Sequence, residues 1–195
     1  MQSQDLTTHS REAVKHRTHS KIKNAMLLLM SEKPVDSITI TELSRVAGVN
    51  RKTFYSHFET VDAVIAELED DFVHTMFALF GRENLPAYFG APQLFFRVLI
   101  ESFNENSEQL RLLILTGEHN CLLVKVKDRI LQILGETVSE LDGRTDRNAF
   151  LYRTEFIAGG IIAVLERWAS GPEHLPFSTV SQVVWQMLEH IDSLF

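Results

Sequence analysis

The sequence predicts an all-α protein. Apolar residues recur at intervals of three and four along the whole 195-residue chain, which is the period of an amphipathic helix. Alternating apolar and polar runs, which would indicate strands, are short and rare. The composition is 45% hydrophobic and 23% charged, as in ordinary globular proteins. No run of about 18 apolar residues occurs, so no membrane span is expected.

The first clear helix is predicted over residues 18–31, where apolar residues fall at i, i+3, i+4, i+7 and i+8. Pro34 ends it, because proline disfavours helix at the residue before it. The residues that form this apolar stripe are Ile22, Ala25, Met26, Leu29 and Met30.

Two short helices follow, joined by a turn. Thr39 and Glu42 have the spacing of a capping box, in which each side chain accepts from the other's backbone N–H, so a helix is predicted to begin near Thr39. Gly48 is expected to end it in the left-handed conformation. Asn50 is a favourable N-cap for a third helix over residues 50–58. Two short helices around a glycine turn predict a helix-turn-helix, whose second helix enters the major groove of DNA.

The third helix has one apolar and one polar face. Phe54 and Phe58 are four residues apart and are predicted to point inward. The side chains left at the N-terminal end suit base edges, and those further along suit phosphates. The first group is Arg51, Lys52 and Thr53, and the second is Tyr55 and His57.

Charge is distributed unevenly. Residues 1–60 contain nine Lys/Arg and six Asp/Glu, whereas residues 61–195 contain ten and twenty, within a net charge of −7. A basic first part before an acidic second part is typical of a DNA-binding module joined to another domain, although solvated surface gives the same imbalance. The segment before residue 18 is either a DNA-contacting arm or helix extension, or a solvated tail. Its basic residues, continuing into the first helix, are Arg11, Lys15, His16, Arg17, His19, Lys21 and Lys23.

The stretch ITITELSRVAGVNRKTFYSHFETVDAV, residues 38–64, resembles the TetR/AcrR signature. The landmarks that match are Thr39, Leu43, Ala47-Gly48-Val49, Thr53, Tyr55 and Phe58. With the preceding helix, the resemblance covers roughly residues 18–72. It implies a homodimer that binds a near-palindromic double-stranded DNA operator and responds to a small-molecule effector, whose identity the sequence leaves open.

The resemblance also implies residue roles. Thr39 matches the phosphate-contacting start of helix 2, and Tyr55 and His57 match a phosphate-contacting pair. Asn50, Arg51, Lys52 and Thr53 match the start of the recognition helix. Two positions depart from the pattern: Val61 replaces a lysine of many members, and Lys52 stands where a small residue is common.

The remaining chain predicts a helical body that begins with a fourth helix from Thr60 to about residue 80. Proline and glycine mark breaks at residues 84–86 and 90–92, and turns are expected at Asp142-Gly143 and Gly171-Pro172. Further helices are predicted over residues 92–104, 107–116, 119–141, 145–170 and 178–194. The domains expected are 1–60, which binds DNA, and 61–195, which binds the effector and dimerises.

The stretch 152–171 resembles the penultimate helix of TetR-like C-terminal domains. That likeness implies a homodimer formed by the last two helices of each subunit as a four-helix bundle. Ala158, Gly159 and Gly160 would permit close approach of another backbone, either from the partner or from within one subunit. The last helix has a broad apolar stripe that suits a bundle: Val180, Val183, Val184, Met187, Leu188 and Ile191.

An effector pocket is expected among helices 4–8. Its candidate lining residues are Phe95, Phe96, Leu99, Phe103, Leu112, Tyr152 and Phe156, with Arg153 and Glu155 as candidate polar anchors. An aromatic stripe at helical spacing is also typical of plain core, and the two charged residues suit a solvated surface equally well.

Catalytic, metal and cofactor motifs are not expected. Cys121 follows His119, but no further motif supports a nucleophile, and an ordinary cysteine explains it. His16 and His19 have helical spacing without a clustered third ligand, and no glycine-rich phosphate loop occurs. A single cysteine and a polar N-terminus favour the cytoplasm. The function predicted is a sequence-specific transcription repressor that an effector releases from a palindromic operator. The alternative is a TetR-like co-activator or protein-interaction module without operator binding.

Overall fold

The computed structural model describes residues 2–78, 92–116, 121–139, 147–172 and 175–188, with side chains from Val14 onward. These ranges form helices joined by turns and contain no strand, which confirms the predicted fold class. The helices are α1 (Gln2–Glu32), α2 (Ile40–Ala47), α3 (Arg51–Tyr55), α4 (Val61–Phe77), α5 (Pro92–Glu105), α6 (Ser107–Thr116), α7 (Cys121–Ser139), α8 (Arg147–Ser170) and α9 (Phe177–Leu188), with a 3-10 turn at Val35–Ser37.

The chain divides into two compact units, Met1–Leu68 and Glu69–Phe195. The division lies within α4, whereas the predicted boundary at residues 60 and 61 lies where α4 begins. The predicted breaks at 84–86 and 90–91 and the turn at Asp142-Gly143 lie outside the described residues.

The first unit is organised around the apolar stripe of α1. Ile22 and Met26 are fully buried, as the helical period predicts, and α1 packs against α2, which in turn packs against α3. α1 begins at Gln2 rather than near residue 18, so the basic N-terminal segment is a helix extension. Its described side chains before Thr18 are exposed: Val14, Lys15, His16 and Arg17.

The second unit has its own aromatic and aliphatic core. α7 packs against α8, and α9 packs against both α5 and α8. Trp168 closes the turn after α8: its Nε1–H donates to the Leu175 carbonyl at 2.9 Å, and its ring meets Phe177 edge-on. The largest buried side chains of this unit include Phe95, Phe96, Leu99, Phe103, Leu110, Leu113, Leu122 and Leu123.

The segment Asn148–Ser170 of α8 is long and apolar. Its 23 residues include an 18-residue window with a mean hydropathy of 1.2, so by length and composition it could cross a membrane, and 28% of that window is buried. Core helices of globular proteins meet the same criteria. Part of the apolar surface of α8 is exposed, including Phe156.

Candidate nucleic-acid interface

The start of α2 is capped by Thr39, as predicted. Its Oγ1 accepts a hydrogen bond from the Glu42 backbone N–H at 3.2 Å. The second half of the predicted capping box is absent, because the Glu42 carboxylate instead pairs with the Lys33 ammonium. A full charge on Lys33 attracts the carboxylate more strongly than a neutral backbone donor. Glu42 therefore ties the end of α1 to the start of α2.

The turn between α2 and α3 depends on Gly48. Its φ of 67° is left-handed, and its N–H donates to the Arg45 carbonyl at 3.2 Å. The next residue, Val49, donates to the Ser44 carbonyl at 2.9 Å. Glycine adopts this conformation without the steric cost that a Cβ brings. The turn predicted from the sequence is thus present at the predicted residue.

Helix α3 starts where predicted and ends earlier. The Asn50 Oδ1 accepts from the Thr53 backbone N–H at 2.8 Å, which is an N-cap. The helix ends at Tyr55, three residues before the predicted end, and the His57 N–H donates to the Phe54 carbonyl at 2.8 Å in a tighter turn. His57 consequently lies in the turn after α3 rather than on the helix.

Two phenylalanines hold α3 against the rest of the first unit. Phe54 is fully buried and Phe58 nearly so, with their ring centroids 6.1 Å apart. This burial confirms the inward face predicted from their i, i+4 spacing. It leaves the opposite face of a rigidly anchored short helix available to a partner.

The opposite face carries the predicted DNA-contacting side chains. Arg51 and Lys52 are exposed, Tyr55 is half-exposed, and Thr53 is half-buried. Thr39 and Asn50 are exposed as well, although each already caps a helix with its side-chain oxygen. These residues therefore lie at the start of α2, at the N-cap of α3 and along α3. Val61, the position at which many family members have a lysine, is half-buried at the first position of α4.

His57 is held by a polar chain that the sequence analysis did not anticipate. Its Nδ1 lies 3.2 Å from the Nδ1 of His19, and the His19 Nε2 lies 2.6 Å from both carboxylate oxygens of Glu67. Lys23 donates to the same carboxylate at 2.9 Å. Contacts across 38 and 48 residues leave no periodic trace in the sequence, so nothing there could have indicated them.

Burial and neighbouring groups shift the pKa values of His57 and Glu67 in this hydrogen-bonded series. Burial lowers the pKa of His57, and nearby His19 and Lys15 lower it further. Burial on its own would raise the pKa of Glu67, but hydrogen bonds from His19 and Lys23 outweigh burial and lower the pKa overall. At neutral pH, Glu67 is therefore ionised and His57 is mainly neutral.

The predicted effector-binding residues differ in burial. Phe95, Leu99 and Phe103 are fully buried, and Leu112 is half-buried. Tyr152 and Phe156 are 79% and 78% exposed. α8 buries the face that carries Ile157, Ala158, Ile161 and Leu165, so Tyr152 and Phe156 lie on its exposed face. Their assignment to an effector pocket stays a prediction.

Phe156 instead borders an open groove between α8 and α9. The groove has a volume of about 290 Å³ and an almost entirely apolar lining. It is lined by Phe156, Ile157, Gly160, Ile161, Val164, Val184, Met187 and Leu188. Val183 of α9 is a further exposed apolar residue, 47% exposed.

A scan against models of protein families and a search of curated proteins found no match. Solved structures are similar in fold. A TetR transcriptional regulator from Streptococcus agalactiae 2603V superposes with a TM-score of 0.63 at 19% identity, covering 93% of this chain and 98% of that one. The fatty acid degradation regulator FadR from Bacillus halodurans gives 0.61 at 16% identity, covering 89% and 95%. The chain therefore has the fold of the TetR transcriptional regulators.

Proposed function

We propose that this protein is a dimeric, sequence-specific DNA-binding transcription regulator. The observation that carries the proposal is the exposed polar face of α3, held in place by buried Phe54 and Phe58 and capped by Asn50. A helix anchored in this way can enter the major groove without rearrangement, which reduces the entropic cost of binding.

The cationic side chains of the first unit differ in their contacts, and this difference supports the proposal. Lys23 and Lys33 form ion pairs with Glu67 and Glu42, so these two lysines contribute to the fold. Arg51 and Lys52 remain exposed at the N-terminal end of α3, the end that reaches base edges. In this proposal Arg51 reads a base and Lys52 contacts either a base or a phosphate. Tyr55 and His57 contact phosphates that set the register of the helix.

The apolar groove on α8 and α9 supports a homodimer. Phe156 and Met187, which are 78% and 68% exposed, flank it on the two helices. Apolar surface collected in one place on a protein is typical of an interaction site. A two-fold dimer buries the same patch on both subunits, so the α8–α9 pair of one protomer would pack on that of its partner.

The glycines of α8 also support a homodimer. A Cβ built at Gly159 or Gly160 meets no atom of another described element within 4 Å. Close packing within one subunit, the alternative considered from the sequence, therefore does not require glycine at either position. Approach of a second subunit would supply a reason for residues that each cost about 1 kcal/mol of helix stability relative to alanine.

Effector control is the finer part of the proposal. Thr154 is 1% exposed, and its buried hydroxyl has no hydrogen-bond partner among the described residues. A buried hydroxyl without a partner costs about 1–3 kcal/mol. A polar group of a ligand that entered the second unit would gain a hydrogen bond with the Thr154 hydroxyl. We propose that such a ligand changes the separation of the two recognition helices and releases the protein, as a repressor, from a palindromic operator.

Selection from a random duplex library tests DNA binding. Purified protein is compared with an Arg51→Ala/Lys52→Ala variant at one fixed salt concentration, with circular dichroism to confirm folding and sedimentation to measure the oligomeric state. Enrichment of an inverted repeat by the wild type and not by the variant is the expected result. No enrichment by a folded dimer would contradict operator binding and favour the co-activator or interaction-module alternative.

Repression needs a separate test in cells. A reporter fused to the promoter that contains the selected repeat is measured with and without the regulator. Reporter output should rise when the regulator is deleted. A fall in output on deletion would contradict repression while leaving DNA binding intact.

A further inference from the structure

We propose that Glu67, His19 and His57 form a proton relay that decides whether His57 can donate a hydrogen bond to a DNA phosphate, so that DNA binding takes up a proton. The inference rests on the proposed DNA-binding function and names His19 and Glu67 as positioning residues for the His57 contact. All three residues belong to the first compact unit.

Glu67 holds one end of this hydrogen-bonded series in place. Glu67 is ionised and therefore only accepts hydrogen bonds, one from the Lys23 ammonium at 2.9 Å and one from the His19 Nε2 at 2.6 Å. The His19 Nε2 must carry a hydrogen. The ring of Phe58, whose centroid is 4.3 Å from that of His19, packs against the imidazole and limits its reorientation.

The second step concerns the 3.2 Å contact between the Nδ1 atoms of His19 and His57. One of these nitrogens must donate and the other accept. If His19 is neutral, its hydrogen is on Nε2, so its Nδ1 accepts and the His57 Nδ1 donates. The His57 Nε2 then carries a lone pair, which repels a phosphate oxygen.

An added proton reverses this arrangement. A protonated His19 donates from both nitrogens, to Glu67 and to the His57 Nδ1. His57 remains neutral with its hydrogen on Nε2, and that N–H can donate to a phosphate. The ionised Glu67 carboxylate stabilises the positive charge of the His19 imidazolium, because an adjacent carboxylate favours the protonated form of a histidine.

The surrounding charges determine which histidine takes the proton. Lys15 on α1 and His19 both disfavour charge on His57, whereas Glu67 on α4 lies against His19. Lys23 on α1 offsets part of the Glu67 charge through its own ion pair. The Glu67 carboxylate thus lies against the His19 ring, where it can stabilise a positive charge on that ring.

The sign of the linkage follows from the proton count. If the DNA complex holds one more proton per protomer than the free protein, affinity is greatest at low pH and falls as the pH rises. The fall reaches at most about tenfold per pH unit for each protomer, within the range of about pH 5–8 where imidazoles titrate.

The experiment measures affinity for a mixed-sequence duplex against pH at fixed salt, because a phosphate contact is independent of sequence. Three proteins are compared: wild type, His19→Gln and His16→Gln. The amide introduced by His19→Gln does not titrate and can either donate to the His57 Nδ1 or accept from it at every pH, so the hydrogen-bond role of His57 no longer depends on a proton on that side chain. His16 is exposed on α1 one turn earlier, so the same substitution there is the matched control.

Wild type and His16→Gln should lose affinity as the pH rises, whereas His19→Gln should bind with a much flatter pH profile. Calorimetry of the wild type in two buffers of different ionisation enthalpy gives the proton uptake directly, and does not depend on a variant folding. Binding without proton uptake, or an unchanged pH slope in His19→Gln, would overturn the relay alone. Failure of the wild type to bind any duplex at low salt would overturn the DNA-binding proposal together with the relay.

Discussion

The guanidinium of Arg51 lies against Tyr55 one turn later on the exposed face of α3. Its Nη2 is 3.4 Å from the Tyr55 hydroxyl, and its Cζ is 6.0 Å from the centre of the ring. An exposed cation–π contact of this kind contributes about 0.5–1 kcal/mol. Tyr55, which is proposed to contact a phosphate, therefore holds Arg51, which is proposed to read a base, on the outer surface of α3. This contact is weak enough for DNA to displace it.

Replacing Tyr55 should separate affinity from specificity. Tyr55→Phe keeps the ring against Arg51 and removes the hydroxyl, so binding to all duplexes should weaken by about 1.5–3 kcal/mol, the range for a hydrogen bond to a charged group. Arg51→Ala should cost about 1–3 kcal/mol and relax preference at one base position. Affinities for selected and mixed-sequence duplexes measure both effects. A change of base preference in Tyr55→Phe would contradict the assigned roles.

Asn50 should contribute to folding through its cap. Asn50→Ala removes the oxygen that accepts from Thr53 and should lower the free energy of unfolding by about 1 kcal/mol. Asn50→Asp retains an acceptor, so stability should be nearly unchanged, while the added negative charge weakens DNA binding. Urea unfolding and duplex titration of the two variants separate the effects. If Asn50→Ala were as stable as the wild type, the cap would not contribute to stability.

Dimerisation should depend on the groove between α8 and α9. Phe156→Glu places a charge on the apolar surface, and loss of a central aromatic typically weakens an interface by about 2 kcal/mol or more. Sedimentation should show monomers at concentrations at which the wild type is dimeric. Val124 is the control, because it is an apolar residue of α7 with 54% exposure outside the groove lining. Val124→Glu should remain dimeric, and monomers from both variants would argue against this interface.

A buried carboxylate should make Lys125 more important than Lys127, although both lie on α7. Lys125 pairs with Glu69, which is 3% exposed, at 3.1 Å and with Asp70 at 2.6 Å. Burial opposes its charge, but hydrogen bonds to Asp70 and Glu69 outweigh burial and raise its pKa. Lys125→Met should therefore lower the free energy of unfolding by about 1.5–3 kcal/mol.

The matched substitution is Lys127→Met, since Lys127 pairs with the exposed Glu155. Surface pairs contribute about 0–1 kcal/mol, so this variant should remain close to the wild type. Chemical unfolding measures both. If the two variants lost stability equally, burial of Glu69 would not be the cause.

Glu67 should make stability depend on pH. The pKa of Glu67 in the folded protein is below the usual value of a glutamate, so its contribution to stability is present above the unfolded pKa and is lost as the pH falls through the folded pKa. Glu67→Gln should accordingly be less stable than the wild type at neutral pH, and the difference should shrink as the solution becomes acidic. Unfolding curves across that range test the sign. A difference that grew on acidification would contradict the ionised carboxylate.

Local signals in the sequence determined the helix-turn-helix. The caps at Thr39 and Asn50 and the left-handed Gly48 depend on residues within three positions, so their side chains predict them. The inward direction of Phe54 and Phe58 follows in the same way from helical periodicity. The helices of the second unit were located for the same reason, because a 3.6-residue period is visible without knowledge of partners.

Tertiary structure decided which groups meet across the chain. Glu42 pairs with Lys33 rather than closing its capping box, and His57 reaches Glu67 through His19, because charges pair wherever folding brings them close. Periodicity places Phe156 on one face of α8 but does not say which face the rest of the subunit covers. That choice depends on how α7 and α9 pack against α8, and it turned a predicted pocket residue into part of an exposed groove.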